Sequence, residues 1–85
     1  MKRSLAVANA SALTNMAMTM YPNTITSLTN YTVSINLCIR IEKETMDKDE
    51  VYKTFASCIE RDAKITLRYN ELIDADYIDI EWYID

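Results

Sequence analysis

From Tyr31 to Ile41 the chain alternates: Tyr31, Val33, Ile35, Leu37, Ile39 and Ile41 fall on one face, Thr32, Ser34, Asn36, Cys38 and Arg40 on the other. A period of two held over that length predicts a half-buried β-strand. The same odd-numbered register reaches back through Thr29 to Ile25, so the strand begins earlier or follows a bend near Asn30. The period then changes. Val51, Phe55, Cys58 and Ile59 recur at three- and four-residue intervals and predict a helix over 48–62. Lys48, Lys53, Glu60 and Arg61 lie off its apolar stripe, and Asp47 with Glu50 reads as a capping box. Alternation returns in Lys64 to Tyr69, where Ile65, Leu67 and Tyr69 oppose Thr66 and Arg68. After a polar connection interrupted by Leu72 and Ile73, Tyr77 to Asp85 alternates once more. Ile78, Ile80, Trp82 and Ile84 point inward there, with Asp79, Glu81, Tyr83 and Asp85 outward. These last two strands are near enough in sequence to form an antiparallel hairpin.

The first twenty residues carry two patterns. Ala6, Ala8, Ala10, Ala12 and Ala17, with Leu5, Leu13, Met16 and Met20, favour a helix by propensity and spacing. Met16, Met18 and Met20 also alternate with Ala17 and Thr19, and Tyr21-Pro22-Asn23-Thr24 is a good β-turn sequence, which leaves a hairpin open. The expected order is α (or β), β, α, β, β. Strands with one apolar face need a layer of helix, so the expectation is a two-layer α+β sandwich. Its small, mainly antiparallel sheet has about three to four strands covered on one face by one or two helices. All 85 residues are read as one domain. Its expected core is Ile35, Leu37, Ile39, Val51, Phe55, Ile59, Ile65, Ile80 and Trp82.

Composition narrows the chemistry. The chain has no glycine and no histidine, and Pro22 is its one proline. Without histidine it lacks the commonest proton carrier near neutral pH and the commonest transition-metal ligand. Without glycine no phosphate-cradling loop can be written. Positive-φ turn positions should then fall mainly to asparagine, with Asn23, Asn30 and Asn70 as candidates. Cys38 and Cys58 cannot make a structural zinc site alone. Cys58 is placed in the core and Cys38 on the polar strand face, with Arg40 as its nearest same-face cation, both as free thiols of a reducing compartment. The rival reading is a secreted protein, on the sequons Asn9-Ala10-Ser11 and Asn30-Tyr31-Thr32, but Asn/Ser/Thr-rich chains produce such sequons by chance. Lys2 and Arg3 ahead of Leu5-Ala6-Val7-Ala8 imitate a signal peptide, but Asn9, Ser11, Thr14 and Asn15 break the apolar run. No run of eighteen apolar residues occurs, so no membrane span is expected. With both thiols read as reduced, the expected location is cytoplasmic, without membrane contact, the host cytoplasm if the source is viral.

Charge is blocked along the chain. Residues 1–39 carry only Lys2 and Arg3, residues 40–69 balance, and residues 70–85 hold six acids and no base, for a net charge of −4. That asymmetry argues against direct nucleic-acid binding and suits a partner with a basic surface. Asp74 to Asp79 resembles the start of a calcium loop but lacks the turn glycine, and Asp85 stands where the bidentate glutamate belongs. It is read as a solvated acidic turn. No catalytic, cofactor-binding or metal-ligating residue is assigned. The Met16, Met18 and Met20 trio fills a core or offers an adaptable contact surface.

The candidate partner-binding residues are Glu71, Asp74, Asp76, Tyr77, Asp79, Glu81, Tyr83 and Asp85. Aromatic and acidic side chains on one strand face suit contact with a basic groove; the blander reading is a charged edge strand that resists aggregation. Same-face residues on a strand lie roughly 6.6 Å apart, so they match only sparse phosphates of a DNA strand at about 3.4 Å rise. In size, acidity and absence of motifs the chain is similar to small phage-encoded inhibitors of host nucleases, such as anti-restriction and anti-CRISPR proteins. The similarity covers size and charge and carries no residue across. It implies a non-enzymatic, DNA-mimic-like inhibitor engaging a nuclease or other nucleic-acid-binding protein. The alternative is an assembly subunit forming homo-oligomers through its uncharged N-terminal third and a free strand edge.

Overall fold

Ala6, Ala10, Leu13 and Ala17, at intervals of four, three and four, are the buried face of an N-terminal helix α1, Arg3–Met20. Three of the four are alanine, so α1 lies close against the sheet, and the helical alternative for residues 1–20 is the one realised. Tyr21-Pro22-Asn23-Thr24 does turn, with the Thr24 N–H donating to the Tyr21 carbonyl at 2.9 Å, but it joins a helix to a strand. The computed structural model describes residues 1–44, 46–59 and 62–85. After α1 come β1 (Ile25–Asn30), β2 (Ser34–Ile41), α2 (Lys48–Ile59), β3 (Lys64–Asn70) and β4 (Ala75–Tyr83). The expected helix end near 62 and the placing of Glu60 and Arg61 lie outside the described residues.

The four strands form one antiparallel sheet in the order β1-β2-β4-β3. Both helices cover the same face, so the architecture is the expected small α+β sandwich. Its connectivity is two αββ halves meeting at β2 and β4. The long alternating strand expected from Tyr31 is divided: Tyr31 to Val33 form the β1–β2 turn, leaving Tyr31 and Val33 53% and 64% exposed. Arg3 braces this turn. Its guanidinium donates to the Asn30 side-chain oxygen and to the carbonyls of Tyr31 and Thr32, at 3.0 and 2.7 Å for the carbonyls. The positive-φ expectation is also corrected. Among the described residues Asp74, at φ 48°, takes the left-handed position, and Asn23, Asn30 and Asn70 do not. Asp shares with Asn the short polar side chain that tolerates this region.

The core sits between the helices and the covered sheet face. Ile35, Leu37, Ile39, Val51, Phe55, Ile59, Ile80 and Trp82 are buried as expected, and Ile65 packs partly buried against them. Phe55 meets the Tyr21 ring at 6.4 Å and so ties α2 to the end of α1. Asp47 caps α2 by accepting the Asp49 N–H at 2.9 Å. Cys58 is a correction: it is exposed at the flank of the stripe, with its thiol directed to the Met16 sulfur at 3.8 Å. Of the methionines, Met16 packs on the core while Met18 and Met20 are exposed. No helix among the described residues is long and apolar enough to cross a membrane.

Candidate functional site: the open face of the sheet

The helices leave one sheet face uncovered, and β4 runs through its middle. β4 is therefore an interior strand, flanked by β2 and β3, which corrects the edge-strand reading. Alternation along β4 puts Ile78, Ile80 and Trp82 under the helices and Tyr77, Asp79, Glu81 and Tyr83 on the open face. Register sets Tyr77 between Arg40 and Arg68 and gives the two acids neutral or basic neighbours: Asp79 lies between Cys38 and Thr66, Glu81 between Asn36 and Lys64. The surface is a shallow, open hollow of about 540 Å³ over Asn36, Cys38, Thr66, Arg68, Asp79 and Glu81.

Arg68 organises the centre. Its Nε donates to Asp79 Oδ2 at 2.8 Å, its guanidinium lies 4.4 Å from the Tyr77 ring centroid, and its Nη2 is 3.6 Å from Cys38 Sγ. The Cys38 thiol is pushed up from its ordinary range by burial first and then by the Asp79 charge, which outweigh Arg68. It is held as a neutral thiol, a poor nucleophile. Arg68, and not the expected Arg40, is the cation beside it. Glu81 accepts from Tyr83, whose hydroxyl is raised chiefly by that bond, and lies 3.5 Å from the Ser34 hydroxyl. Tyr83 is 56% exposed.

The other expected contact residues are dispersed. Asp74 takes Lys43 at 2.6 Å and the Tyr69 hydroxyl at 2.6 Å, which together hold its carboxyl below the usual range. Lys43 also stands 5.1 Å from the Tyr69 ring centroid. Asp76 lies on the covered side at 8% exposure, 4.0 Å from Lys43. Asp85 pairs with the N-terminal ammonium at 2.6 Å. Glu71 stands in the β3–β4 turn, beside Leu72 at 95% exposure and Ile73 at 52%. Among the described residues, Glu71 and Glu81 are the two of these six acids outside any ion pair.

Sequence reasoning missed the bases. Arg40, Lys64 and Arg68 come from the charge-balanced middle of the chain, yet strand pairing sets them around Asp79 and Glu81. The open face is therefore of mixed charge, not anionic. The exposed Leu72-Ile73 tip had a sequence signal, two aliphatics inside a polar turn. No three acid or cysteine side chains gather as a metal site among the described residues. No family model matches the chain, and neither a curated protein nor a solved structure is significantly similar to it.

Proposed function

We propose that this chain is a non-enzymatic binding protein that docks the open face of its sheet against a partner protein, occluding a basic, nucleic-acid-binding surface. The observation that carries the reading is the row Tyr77, Asp79, Glu81 and Tyr83 on the uncovered face of an interior strand. A row on an interior strand is rigid, so little ordering entropy is lost on binding. Aromatics beside charges are the usual anchors of protein interfaces. Glu81 offers a carboxylate to a partner cation. In the Arg68–Asp79 pair the guanidinium is 48% and the carboxylate 19% exposed, so a partner carboxylate can reach the cation from solvent. With Arg40, Lys64 and Arg68 on the same face, the partner surface must itself carry some acids among its bases.

The test compares wild type with Glu81→Gln and Tyr83→Ala as baits for affinity capture from the source cell or its host, at low and high salt. A partner of this site should be retained by wild type, released by an added oligonucleotide, and bound more weakly by both variants. Glu81→Gln should act mainly through slower association and lose its effect at high salt, whereas Tyr83→Ala should speed dissociation. Equal capture by all three baits would refute the assignment.

A further inference from the structure

The two edges of the sheet differ. Antiparallel alternation, with the Tyr31 N–H bonded to the Ser34 carbonyl at 2.8 Å, turns the backbone groups of Ile25, Ser27 and Thr29 toward β2. The backbone N–H and C=O groups of Thr26, Leu28 and Asn30 therefore point away from the sheet. The opposite edge, β3, carries Lys64 and Arg68, a common guard against pairing with another chain. β1 reads Ile-Thr-Ser-Leu-Thr-Asn and has no charge, no proline and an unbroken register. Leu28, 47% exposed, sits with Ser11, Thr14 and Leu37 at a groove of about 210 Å³ between β1 and α1. Val7 and Met18 continue that flank of α1 by helical spacing and are 37% and 57% exposed.

We infer that β1 pairs with β1 of a second copy of this chain, antiparallel about a twofold axis at Leu28. The two sheets then join into one continuous sheet with all the helices on the same side. In this register Leu28 faces the second copy's Leu28, and Thr26 faces its Asn30, so every outward backbone group of β1 gains a partner. The self-complementary register selects a second copy as the occupant, and charge does not oppose it at this edge. At a net charge of −4 two copies repel, but residues 4–39 contain no charged side chain. The twofold sets that uncharged region against itself, with the Arg3 cation that bonds Asn30 at each end of the strand pair, the Val7–Met18 flanks of α1 side by side and each Leu28 beside the other copy's groove. The open face carrying Tyr77 and Glu81 stays free, so this inference stands apart from the partner-binding role.

Sedimentation velocity over micromolar to millimolar concentrations tests it. Wild type should shift reversibly from 9.8 kDa to twice that mass. Leu28→Lys, which opposes two ammonium groups across the axis, should stay monomeric or dimerise at least about tenfold more weakly. Its circular dichroism at low concentration should be unchanged. A second measurement does not depend on that variant folding. In a Cys38→Ser/Cys58→Ser background, Leu28→Cys should form a symmetric disulfide on mild oxidation, because facing residues lie about 5.5 Å apart at Cα. Thr26→Cys alone should not, since it faces Asn30. Wild type monomeric at every concentration, a dimer indifferent to Leu28→Lys, or equal cross-linking by the two cysteine variants would each overturn the inference.

Discussion

The two thiols show how residue-scale environment departs from residue-scale pattern. Cys58 falls on the helical stripe with Phe55 and Ile59, yet the stripe centre faces the sheet and its flank faces water. Cys38 belongs to the polar face of β2, yet β1, β4 and the Arg68 side chain half-bury it. Labelling of the native protein by a thiol reagent should therefore be ordered, Cys58 before Cys38, with no prior reduction needed. Burial and Asp79 hold the Cys38 thiol protonated, so its labelling rate should still be climbing as pH rises past the ordinary thiol value of 9.0. Mass spectrometry of the partially labelled protein checks the order; Cys38 reacting first would contradict the geometry. Trp82 is a different case. Its ring is fully buried, and among the described residues its indole N–H has no hydrogen-bond partner; an unmet donor costs about 1–3 kcal/mol, against the large favourable burial of the ring.

At the scale of elements, the β3–β4 turn is held by one cluster, Lys43–Asp74–Tyr69, linking the segment after β2 to the hairpin. Its pH dependence has a definite sign. Asp74 is depressed below its ordinary 3.8, chiefly by the hydrogen bond from Lys43. Its contribution to stability is present in full above that value and is lost as pH falls through the lower folded one. Lys43 and Tyr69 are raised above 10.5 and 10.0, each chiefly by its bond to Asp74. Their contribution is full below those values and is lost as pH rises through the folded ones. The melting-temperature gap between wild type and Asp74→Asn should thus be widest at intermediate pH and narrow at both extremes. These side chains are exposed, so the gap should be small and should shrink with salt. A pH-independent gap would assign the effect to the strained backbone at Asp74 instead.

The whole molecule is two αββ halves sharing one thin core. Phe55 is fully buried between α2 and the sheet and touches Tyr21 at the end of α1, so its removal is felt in both halves. Phe55→Ala should cost about 3–5 kcal/mol, a large share of the stability of so small a domain, and should lower the transition of the entire chain. Thermal or urea unfolding followed by circular dichroism measures it. An unchanged midpoint would mean that α2 does not pack as described. Separate transitions for the two halves would mean that the core is not shared.

The sequence by itself determined the elements whose periodicity is strong. β2, α2, β3 and β4 were legible because burial imposes a period of two or 3.6 on side chains wherever one face meets a core. The core residues were legible for the same reason, as was the antiparallel β3–β4 pairing. Residues 25–33 were not, since one odd-numbered register runs through both β1 and β2 and hides the turn between them. Tertiary structure alone decided that β2 and β4 are neighbours, because pairing between distant segments leaves no trace in local pattern. That one decision made β4 interior and added Arg40 to the Lys64 and Arg68 that the hairpin brings beside its acids, so that the acidic tail lies in a mixed-charge face. It also left the uncharged β1 as an open edge.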